Sequence, residues 1–311
     1  MSALICGSLA FDSIMVFHDH FKNHILPEKI HMLNVSFLVP EMRREFGGCA
    51  GNIAYNLKLL GGNPQIMATC GADFAPYADH LDKLAISRQY IRNVDDSFTA
   101  QAFITTDLSD NQITAFHPGA MNFSHLNHIN QAADIDIGII SPDGRSGMLQ
   151  HAHEFHEAGI PFIFDPGQGM PMFDGTDLME FVALADFVTV NDYEAELLQA
   201  RTGKTLDELA QQVRALIVTR GESGSHIYSG GQIIEIPCAR AAAVLDPTGC
   251  GDAYRAGLLH GIGNGMDWPT TGRLASLMGA IKIAHRGGQN HAPSQAEIAQ
   301  LFKAEFGYNL D

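Results

Sequence analysis

The chain has 311 residues, of which 46% are hydrophobic, and its 35 acidic and 19 basic side chains give a formal net charge of −16. This charge argues against a nucleic-acid partner, because phosphate contacts need clustered lysine and arginine, and no such cluster occurs. No apolar run reaches the roughly twenty residues that span a bilayer, and the five cysteines form no C-x-x-C pair. We therefore expect a reduced, cytoplasmic protein without a membrane role, folded as one domain over residues 1–311.

Short β-rich runs alternate with helical patterns from residue 64 onward. This alternation is typical of a mostly parallel sheet covered by helices on both faces, so the predicted fold class is α/β with three layers. Strands are expected at 65–70, 136–140, 161–165, 187–190 and 215–219, with a strand-like run at 233–245. Helices are expected at 74–84, 147–158, 177–184, 192–201, 206–213 and 253–262, and from the capping box at Ser294 to about residue 306.

Two segments interrupt this alternation. Residues 11–46 show little helical periodicity, and within 98–116 two β-rich runs flank a turn at 109–111, which predicts a hairpin. We expect the segments at about 11–46 and 98–121 to pair into a small extra sheet that acts as a lid. A lid sheet with open edges makes a homodimer through the lid plausible.

The stretch from Asp246 to Asp252, Asp-Pro-Thr-Gly-Cys-Gly-Asp, precedes a helical pattern. Gly249 and Gly251 let backbone N–H groups approach an anion, and a helix N-terminus favours negative charge. A carboxylate beside bound phosphate would repel it, so Asp252 makes sense as a base that takes a proton from an attacking hydroxyl. An ordinary glycine-rich loop, with Asp252 as a first-turn residue, is the alternative that this segment leaves open.

Other polar or glycine-bearing turns follow other expected strands. Because the carboxyl ends of strands in an open α/β sheet form a common ligand crevice, these turns are expected to lie near one another. They are Gly7 with Asp12, Gly47 and Gly48 with Asn52, Asn191 with Glu194, and Thr219 with Gly221 and Gly224.

This order of motifs resembles the ribokinase-like, or PfkB, family of small-molecule kinases over nearly the whole chain. The family's C-terminal signature, Asp-Thr/Pro-x-Gly-Ala-Gly-Asp, is matched at 246–252 except that Cys250 stands at the alanine position. Its Gly-Gly-x-x-x-Asn motif is matched by Gly47, Gly48 and Asn52. The small cysteine side chain is expected to leave the turn intact, and its thiol raises the hypothesis that thiol reagents inactivate the enzyme.

The resemblance implies the parts of a phosphoryl-transfer site. Asp252 would be the general base, and the N–H groups of Gly249, Cys250 and Gly251 would form the anion hole for the transferred group. The Asn-x-x-Glu motif, Asn191 to Glu194, would organise Mg²⁺ through water, although Glu194 alone also reads as an exposed first-turn residue.

The remaining motifs resemble binding positions of the family. The substrate hydroxyls would be bound by Asp12 and Asn52, with Gly47 and Gly48 allowing a sugar ring to approach the backbone. As single residues, Asp12 also reads as a turn residue and Asn52 as a helix cap. The ATP site would be lined by Asn191, Thr219, Gly221 and Gly224. A monovalent cation such as K⁺ is held in some members at the positions of Asp246 and Thr248.

The acceptor is less directly indicated, because the family phosphorylates both sugars and nucleosides. An apolar slot in the lid would suit a flat base, but the same side chains would also serve as the core of the lid sheet. Candidates for that slot are Phe11, Phe17, Phe103, Phe116, Met121 and Phe123, and Gln168 is a candidate for a hydrogen bond to the substrate. Residues 117–122 resemble a Pro-Gly-Ala turn of adenosine-kinase-like members.

We therefore expect ATP-dependent phosphorylation of the 5′-hydroxyl of a ribonucleoside. A sugar kinase of the ribokinase or fructokinase type is the second hypothesis. A catalytically silent ligand-binding protein on a kinase fold is the third, and the presence of both Asp252 and Glu194 argues against it, because a pure binder needs neither.

Overall fold

The computed structural model describes residues 1–25, 34–109 and 111–310. Its strands are β1 (Ser2–Cys6), β2 (Ala10–Val16), β3 (Glu41–Gly47), β4 (Asn63–Gly71), β5 (Ser87–Val94), β6 (Ala100–Thr106), β7 (Gln112–His117), β8 (Ile137–Ile140), β9 (Phe162–Phe164), β10 (Phe187–Asn191), β11 (Ala215–Thr219), β12 (Ser225–Ser229) and β13 (Gln232–Ile236). Its α-helices are α1 (Cys49–Leu59), α2 (Ala75–Lys83), α3 (Arg145–Ala158), α4 (Gly175–Leu184), α5 (Asp192–Thr202), α6 (Leu206–Ala210), α7 (Cys250–Gly263), α8 (Trp268–Ile283) and α9 (Gln295–Phe306). Among these helices, none is long and apolar enough to cross a membrane.

The larger sheet has nine strands in the order β13-β12-β11-β10-β9-β8-β1-β4-β5. Its strands pair in parallel from β5 to β11, and β12 and β13 add an antiparallel edge. Every residue of β8 and β9 is buried, as expected for parallel strands that are covered on both faces. The predicted three-layer α/β fold is confirmed.

Side chains on the central strands alternate between two hydrophobic cores. Ala3 and Ile5 of β1 pack in one core with α1, α2 and α7, whereas Leu4 and Cys6 pack in the other with α3, α4 and α5. Successive side chains of a strand point to opposite faces. Each face of the sheet therefore has its own helical layer.

The smaller sheet has four strands in the order β3-β2-β6-β7. β2 pairs with β3 in antiparallel and with β6 in parallel orientation, and β6 and β7 form an antiparallel hairpin. The predicted small extra sheet and its hairpin are therefore present. We call this sheet the lid, and its action as a lid stays a prediction. Of the segments predicted to form them, residue 110 of the turn and residues 26–33 lie outside the described residues.

Two elements end three or more residues earlier than the sequence-based expectation. The strand-like run at 233–245 is a strand only as far as Ile236, because Pro237 follows and the later N–H groups of Leu245 and Asp246 donate to the carbonyl of Ile283 instead. The helix expected at 206–213 ends at Ala210, since the N–H of Arg214 already pairs with the carbonyl of Asp186 at the start of β11.

Candidate active site

The predicted anion-binding turn lies at the N-terminus of α7. Gly249 has φ +76°, a left-handed conformation that glycine adopts without strain. The Cys250 N–H donates to the carbonyl of Pro247 at 3.1 Å, which corrects the prediction that it is free for an anion. The N–H groups of Gly249 and Gly251 have no acceptor within the described residues. These two donors and the end of the helix provide what an anion needs.

Asp252 lies in the first turn of α7 and is bonded to Asn52 of α1. The Nδ2 of Asn52 donates to the Oδ2 of Asp252 at 2.8 Å. Burial raises the pKa of Asp252 to about 6; the Asn52 bond opposes the rise, nearby Asp165 adds to it, and Arg255 opposes it. A carboxylate with such a pKa is mostly ionised at neutral pH and is still basic enough to accept a proton.

A network of buried side chains holds Asn52 on the side away from Asp252. The sequence did not reveal this network. The Nε2 of Gln289 donates to the Oδ1 of Asn52 at 3.1 Å and to the hydroxyl of Tyr77 at 2.8 Å. The Tyr77 hydroxyl in turn donates to the carbonyl of Gly47 at 2.8 Å. A fully hydrogen-bonded buried network favours a single arrangement, so the orientation of Asn52 toward Asp252 is fixed.

Asp12 approaches the same space from strand β2 of the lid. Burial and, to a lesser degree, the negative charges of Asp252, Glu45 and Asp246 together raise the pKa of Asp12 to about 6. The two predicted carboxylates, Asp12 on β2 and Asp252 on α7, are therefore close enough to repel each other. Such a pair is suited to bind a neutral hydroxylated molecule between them.

Gly47 and Gly48 lie where the lid strand β3 meets α1, and neither position has room for a side chain. A Cβ at Gly47 would lie 2.5 Å from the Oδ2 of Asp12, and a Cβ at Gly48 would lie 2.5 Å from the carbonyl of Ser8. The φ of Gly48 is +85°. The glycines thus permit the backbone to pass beside Asp12, and their contact with a substrate stays a prediction.

Below Asp252 lies a buried ion pair that the sequence did not reveal. The Nε of Arg255 donates to the Oδ2 of Asp165 at 3.0 Å, and its Nη2 donates to Oδ1 at 2.9 Å. Only 6% of Arg255 and 3% of Asp165 is exposed, and losing one partner of such a pair costs roughly 3–5 kcal/mol. The only sequence signal was an arginine at a position where the helical pattern calls for an apolar residue.

Glu194 is buried, which excludes the exposed first-turn alternative. Its Oε2 accepts the N–H of Asn191 at 2.8 Å, and the Oδ1 of Asn191 accepts the N–H of Glu194 at 2.7 Å, forming a capping box at the start of α5. Burial raises the pKa of Glu194, while the Asn191 N–H and the charge of Arg255 oppose the rise. In the part of the chain that the structure describes, no three ligand side chains form a metal cage.

The residues predicted to line the ATP site lie at the carboxyl ends of two neighbouring strands. Thr219, the last residue of β11, pairs with Asn191, the last residue of β10. Gly221 has φ +54° and Gly224 has φ +81°, and a Cβ at Gly224 would lie 2.1 Å from the carbonyl of Ile236. The structure brings these four positions together at one edge of the sheet, beside the capping box.

The lid aromatics divide into two groups. Phe11 and Phe17 are buried, Phe11 against Phe46 and Tyr77, and Phe17 against neighbouring phenylalanines. For these two the core alternative holds: Phe11 packs in the core that it shares with α1, α2 and α7, and Phe17 packs against Phe21 and Phe37. Phe103, Phe116 and Phe123 are exposed, whereas Met121 is half-buried; Gln168 is exposed in the 3₁₀ segment Gly167–Met172.

Strand register separates the exposed aromatics further. Asp12 pairs with Ala102, and Ala102 pairs with Phe116, so their side chains share one face of the lid sheet. Phe103 is the next residue along β6 and therefore lies on the opposite face. Phe116 lies two strands away from Asp12, and because neighbouring strands are about 4.8 Å apart, the two residues are on the order of 10 Å apart. If Asp12 binds the sugar of a nucleoside, the attached base can therefore reach Phe116.

The position predicted for a monovalent cation carries a different cation. The carboxylate of Asp246 accepts the N–H groups of Thr248 and Gly287, each at 2.9 Å. Its backbone carbonyl accepts the Nζ of Lys282 at 2.8 Å, and the same Nζ donates to the carbonyl of His285 at 3.0 Å. Lys282 is completely buried. The residues at this position therefore do not fit an additional free K⁺ ion.

The Cys250 thiol is protected by its surroundings. Burial raises the pKa of Cys250 to about 11, and although Lys282 opposes this rise, the charges of Asp246 and Asp252 add to it. The thiolate is the reactive form of cysteine. The structure thus gives no support to the hypothesis that thiol reagents inactivate the protein through Cys250.

The model of the pfkB family of carbohydrate kinases matches residues 9–295. The chain belongs to this family. Among solved structures, this pfkB kinase is similar to the nucleoside kinase of Burkholderia thailandensis in complex with inosine, with a TM-score of 0.90, 57% identity and coverage of 99% of both chains. The same Burkholderia enzyme in complex with ADP-inosine gives a TM-score of 0.88 at 58% identity, covering 99% of this chain and 97% of that one.

A more distant relative gives the same picture. The nucleoside kinase of Methanocaldococcus jannaschii is 33% identical over 276 residues, which span 88% of this pfkB kinase and 90% of the relative. The family prediction made from the motifs is confirmed. The individual roles predicted for the site residues stay predictions, and the geometry above supports some more than others.

Proposed function

We propose that this pfkB kinase is a nucleoside kinase, which transfers the γ-phosphoryl group of ATP to the 5′-hydroxyl of a ribonucleoside. The observation that carries the mechanism is the bond of Asn52 to Asp252 at the N-terminus of α7, opposite Asp12 of the lid. The acceptor class is supported by the relatives, one of which was solved with inosine and with ADP-inosine.

In the proposed reaction, the oxygen of the 5′-hydroxyl bonds to the γ-phosphorus of ATP while Asp252 takes the hydroxyl proton. The bond between that phosphorus and the β–γ bridging oxygen breaks, and ADP leaves. The N–H groups of Gly249 and Gly251 stabilise the charge on the transferred group, aided by the positive end of α7. A well-placed general base contributes about 10²- to 10⁴-fold to such a step.

Mg²⁺ is part of the proposal, and Glu194 fits the role of organising it. Mg²⁺ usually keeps several waters and binds one or two carboxylates together with substrate phosphates. One oxygen of Glu194 is bonded to Asn191, and the other has no hydrogen-bond donor among the described residues. When bound, Mg²⁺ would neutralise charge on the phosphates of ATP, which Asn191, Thr219, Gly221 and Gly224 are proposed to adjoin.

We propose that the lid binds the nucleoside, with Asp12 and Asn52 on the ribose and Phe116 beside the base. Phe116 is 53% exposed on the face of the lid that carries Asp12. Met121 and Gln168 are proposed further contacts, of which the exposed Gln168 has less structural support. The sugar kinase remains the second candidate, since Asp12 and Asn52 bind hydroxyls that both acceptor classes share.

Two predictions about the whole molecule stay proposals. All five cysteines are free thiols, which suits a reduced cytoplasmic protein. The outer face of the lid exposes Phe103 and Met42, and such apolar groups suit a homodimer through the lid. Light scattering of the purified chain tests the dimer, and Phe103→Glu is expected to convert it to a monomer.

The activity is tested by ADP production with Mg-ATP against ribonucleosides, 2′-deoxynucleosides, ribose and fructose. Turnover of ribonucleosides, with inosine or adenosine among the best, is the expected outcome. Turnover of free sugars alone would make the sugar kinase correct. If no acceptor is turned over although inosine binds, the silent binding protein becomes the better description.

A further inference from the structure

Lys282 is a buried cation without an acidic partner in contact. It lies in the last turn of α8, none of it is exposed, and its Nζ donates to two backbone carbonyls, those of Asp246 and His285. Within the described ranges, it forms no salt bridge. Burying an ammonium group costs several kcal/mol unless its hydrogen bonds are replaced. A simple apolar residue would avoid that cost, so the charge itself needs an explanation.

The ammonium lies where two loops of the active site are joined. Asp246 begins the anion-binding turn, and its carboxylate accepts the N–H of Gly287 from the loop that follows α8. The N–H groups of Leu245 and Asp246 both bond to the carbonyl of Ile283. Lys282 thus joins the first residue of the anion-binding turn to the loop that follows α8.

The charges around Lys282 favour its ionised state. Burial lowers the pKa of Lys282, while Cys250 and the carboxylates of Asp246 and Asp252 oppose that change. Two carbonyl acceptors at 2.8 and 3.0 Å also stabilise the ammonium form. A positive charge behind the anion-binding turn offsets part of the negative charge that Asp252, Asp246 and the phosphates bring together.

We propose that the Lys282 ammonium replaces the monovalent cation that the family resemblance places at Asp246 and Thr248, so that catalysis is independent of K⁺. The proposal rests on the phosphotransferase activity proposed above. Lys282 is a positioning residue: it holds the carbonyl of Asp246, and through it the anion-binding turn, without touching the substrate. A second cation beside it would meet a like charge a few ångströms away, which makes binding of K⁺ unfavourable.

The first measurement is the rate of the unaltered protein with Mg-ATP and inosine, in potassium chloride and in tetramethylammonium chloride at equal ionic strength. We expect kcat/KM to agree within about twofold. Lys282→Met keeps the unbranched apolar stem, one atom shorter, and removes the ammonium group and its charge. In tetramethylammonium chloride, we expect the kcat/KM of this variant to fall roughly a hundredfold below that of the unaltered protein, and in potassium chloride we expect it to rise again at least tenfold. The control variant Lys303→Met, on the surface of α9, should have the kcat/KM of the unaltered protein in both salts.

A second readout does not depend on activity. K⁺ should raise the thermal unfolding midpoint of Lys282→Met by about 2–4 °C over tetramethylammonium, because an ion that binds only the folded state stabilises it, and should leave the unaltered protein unchanged. If no acceptor is phosphorylated, the proposed function is wrong. The K⁺-dependent change in the unfolding midpoint of Lys282→Met still tests whether the Lys282 ammonium occupies a cation site. Strong activation of the unaltered protein by K⁺ overturns the proposal, as does a folded Lys282→Met that K⁺ neither activates nor stabilises. If that variant does not fold, the salt dependence of the unaltered protein alone decides.

Discussion

The candidate site residues beside the larger sheet and those on the lid differ in how far they are buried. The floor of the site lies at the carboxyl edge of the larger sheet and consists of Asp165, Glu194, Asp252 and Arg255. Each of these charged side chains is largely buried and is either ion-paired or hydrogen-bonded. The lid instead leaves Phe116 half exposed. The charged groups of a reaction centre must be held in position before the reaction, because misplaced charges slow it. A surface that selects the substrate can instead stay exposed until the substrate covers it. The difference fits the proposal that the floor carries out the chemistry and that the lid binds the acceptor.

The largest effect is expected from Asp252→Asn in the floor. Asparagine keeps the size of the side chain but cannot accept the proton, so kcat should fall by about 10²- to 10⁴-fold. Binding of inosine, measured by calorimetry, should change far less, because the lid residues remain. Near-normal turnover in this variant would falsify the assignment of Asp252 as the base.

The next largest effect concerns stability of the floor. Arg255→Met leaves the Asp165 carboxylate buried without its partner, so we expect the free energy of unfolding to fall by roughly 3–5 kcal/mol in urea denaturation. Arg88 and Asp82 form a two-bond pair of similar geometry, at 2.7 and 3.0 Å, on the surface. Arg88→Met is the matched control and should change stability little, since water replaces the lost bonds. Equal effects of the two substitutions would contradict the view that burial gives the floor its rigidity.

A moderate effect on substrate affinity is expected from the lid. Phe116→Ala should raise the KM for a ribonucleoside roughly two- to tenfold with little change in kcat, because a stacking contact contributes about 0.5–1.5 kcal/mol. Phe103→Ala removes an equally large exposed ring from the opposite face and should leave KM unchanged. Ribose, if it is a substrate at all, should be insensitive to both. A loss at Phe103 equal to that at Phe116 would show that the face assignment is wrong.

The smallest effect is a pH dependence to which Asp12 of the lid and Asp252 of the floor both contribute. Asp12 and Asp252 have pKa values raised to about 6, and a protonated Asp252 cannot accept the hydroxyl proton. We therefore expect kcat/KM to be level above pH 7 and to fall as the pH drops through about 6, with apparent pKa values that belong to the pair. In Asp252→Asn this acidic limb should weaken. A profile that stays flat down to pH 5 would mean that neither carboxyl group titrates as the structure indicates.

The sequence predicted most of what depends on local pattern. The alternation of β-rich and helical runs fixed the class of fold, because periods of 2 and 3.6 residues report strand and helix directly. The strand at Ala215–Thr219 was predicted to the residue, and the anion-binding turn was placed correctly at a helix N-terminus. The strand expected to continue to residue 245 was wrong, since an apolar composition cannot tell whether a neighbouring strand is available to pair.

What the sequence could not supply are contacts between residues far apart in the chain. The support of Asn52 by Gln289 and the bond of Lys282 to the carbonyl of Asp246 leave no periodic or motif signal. The pairing of Asp165 with Arg255 leaves only an arginine within an apolar helical pattern, which does not name its partner.

The sequence by itself determined that this protein has a three-layer α/β fold with a small second sheet and a glycine-rich turn that opens a helix, because turn chemistry and hydrophobic period are local properties. Only the tertiary structure decided which phenylalanines form core and which face the site, because strand register assigns each side chain to one face. It also decided that a lysine, on a helix 36 residues further along, supplies the cation behind the turn. Burial, pairing and charge compensation arise only when distant segments meet.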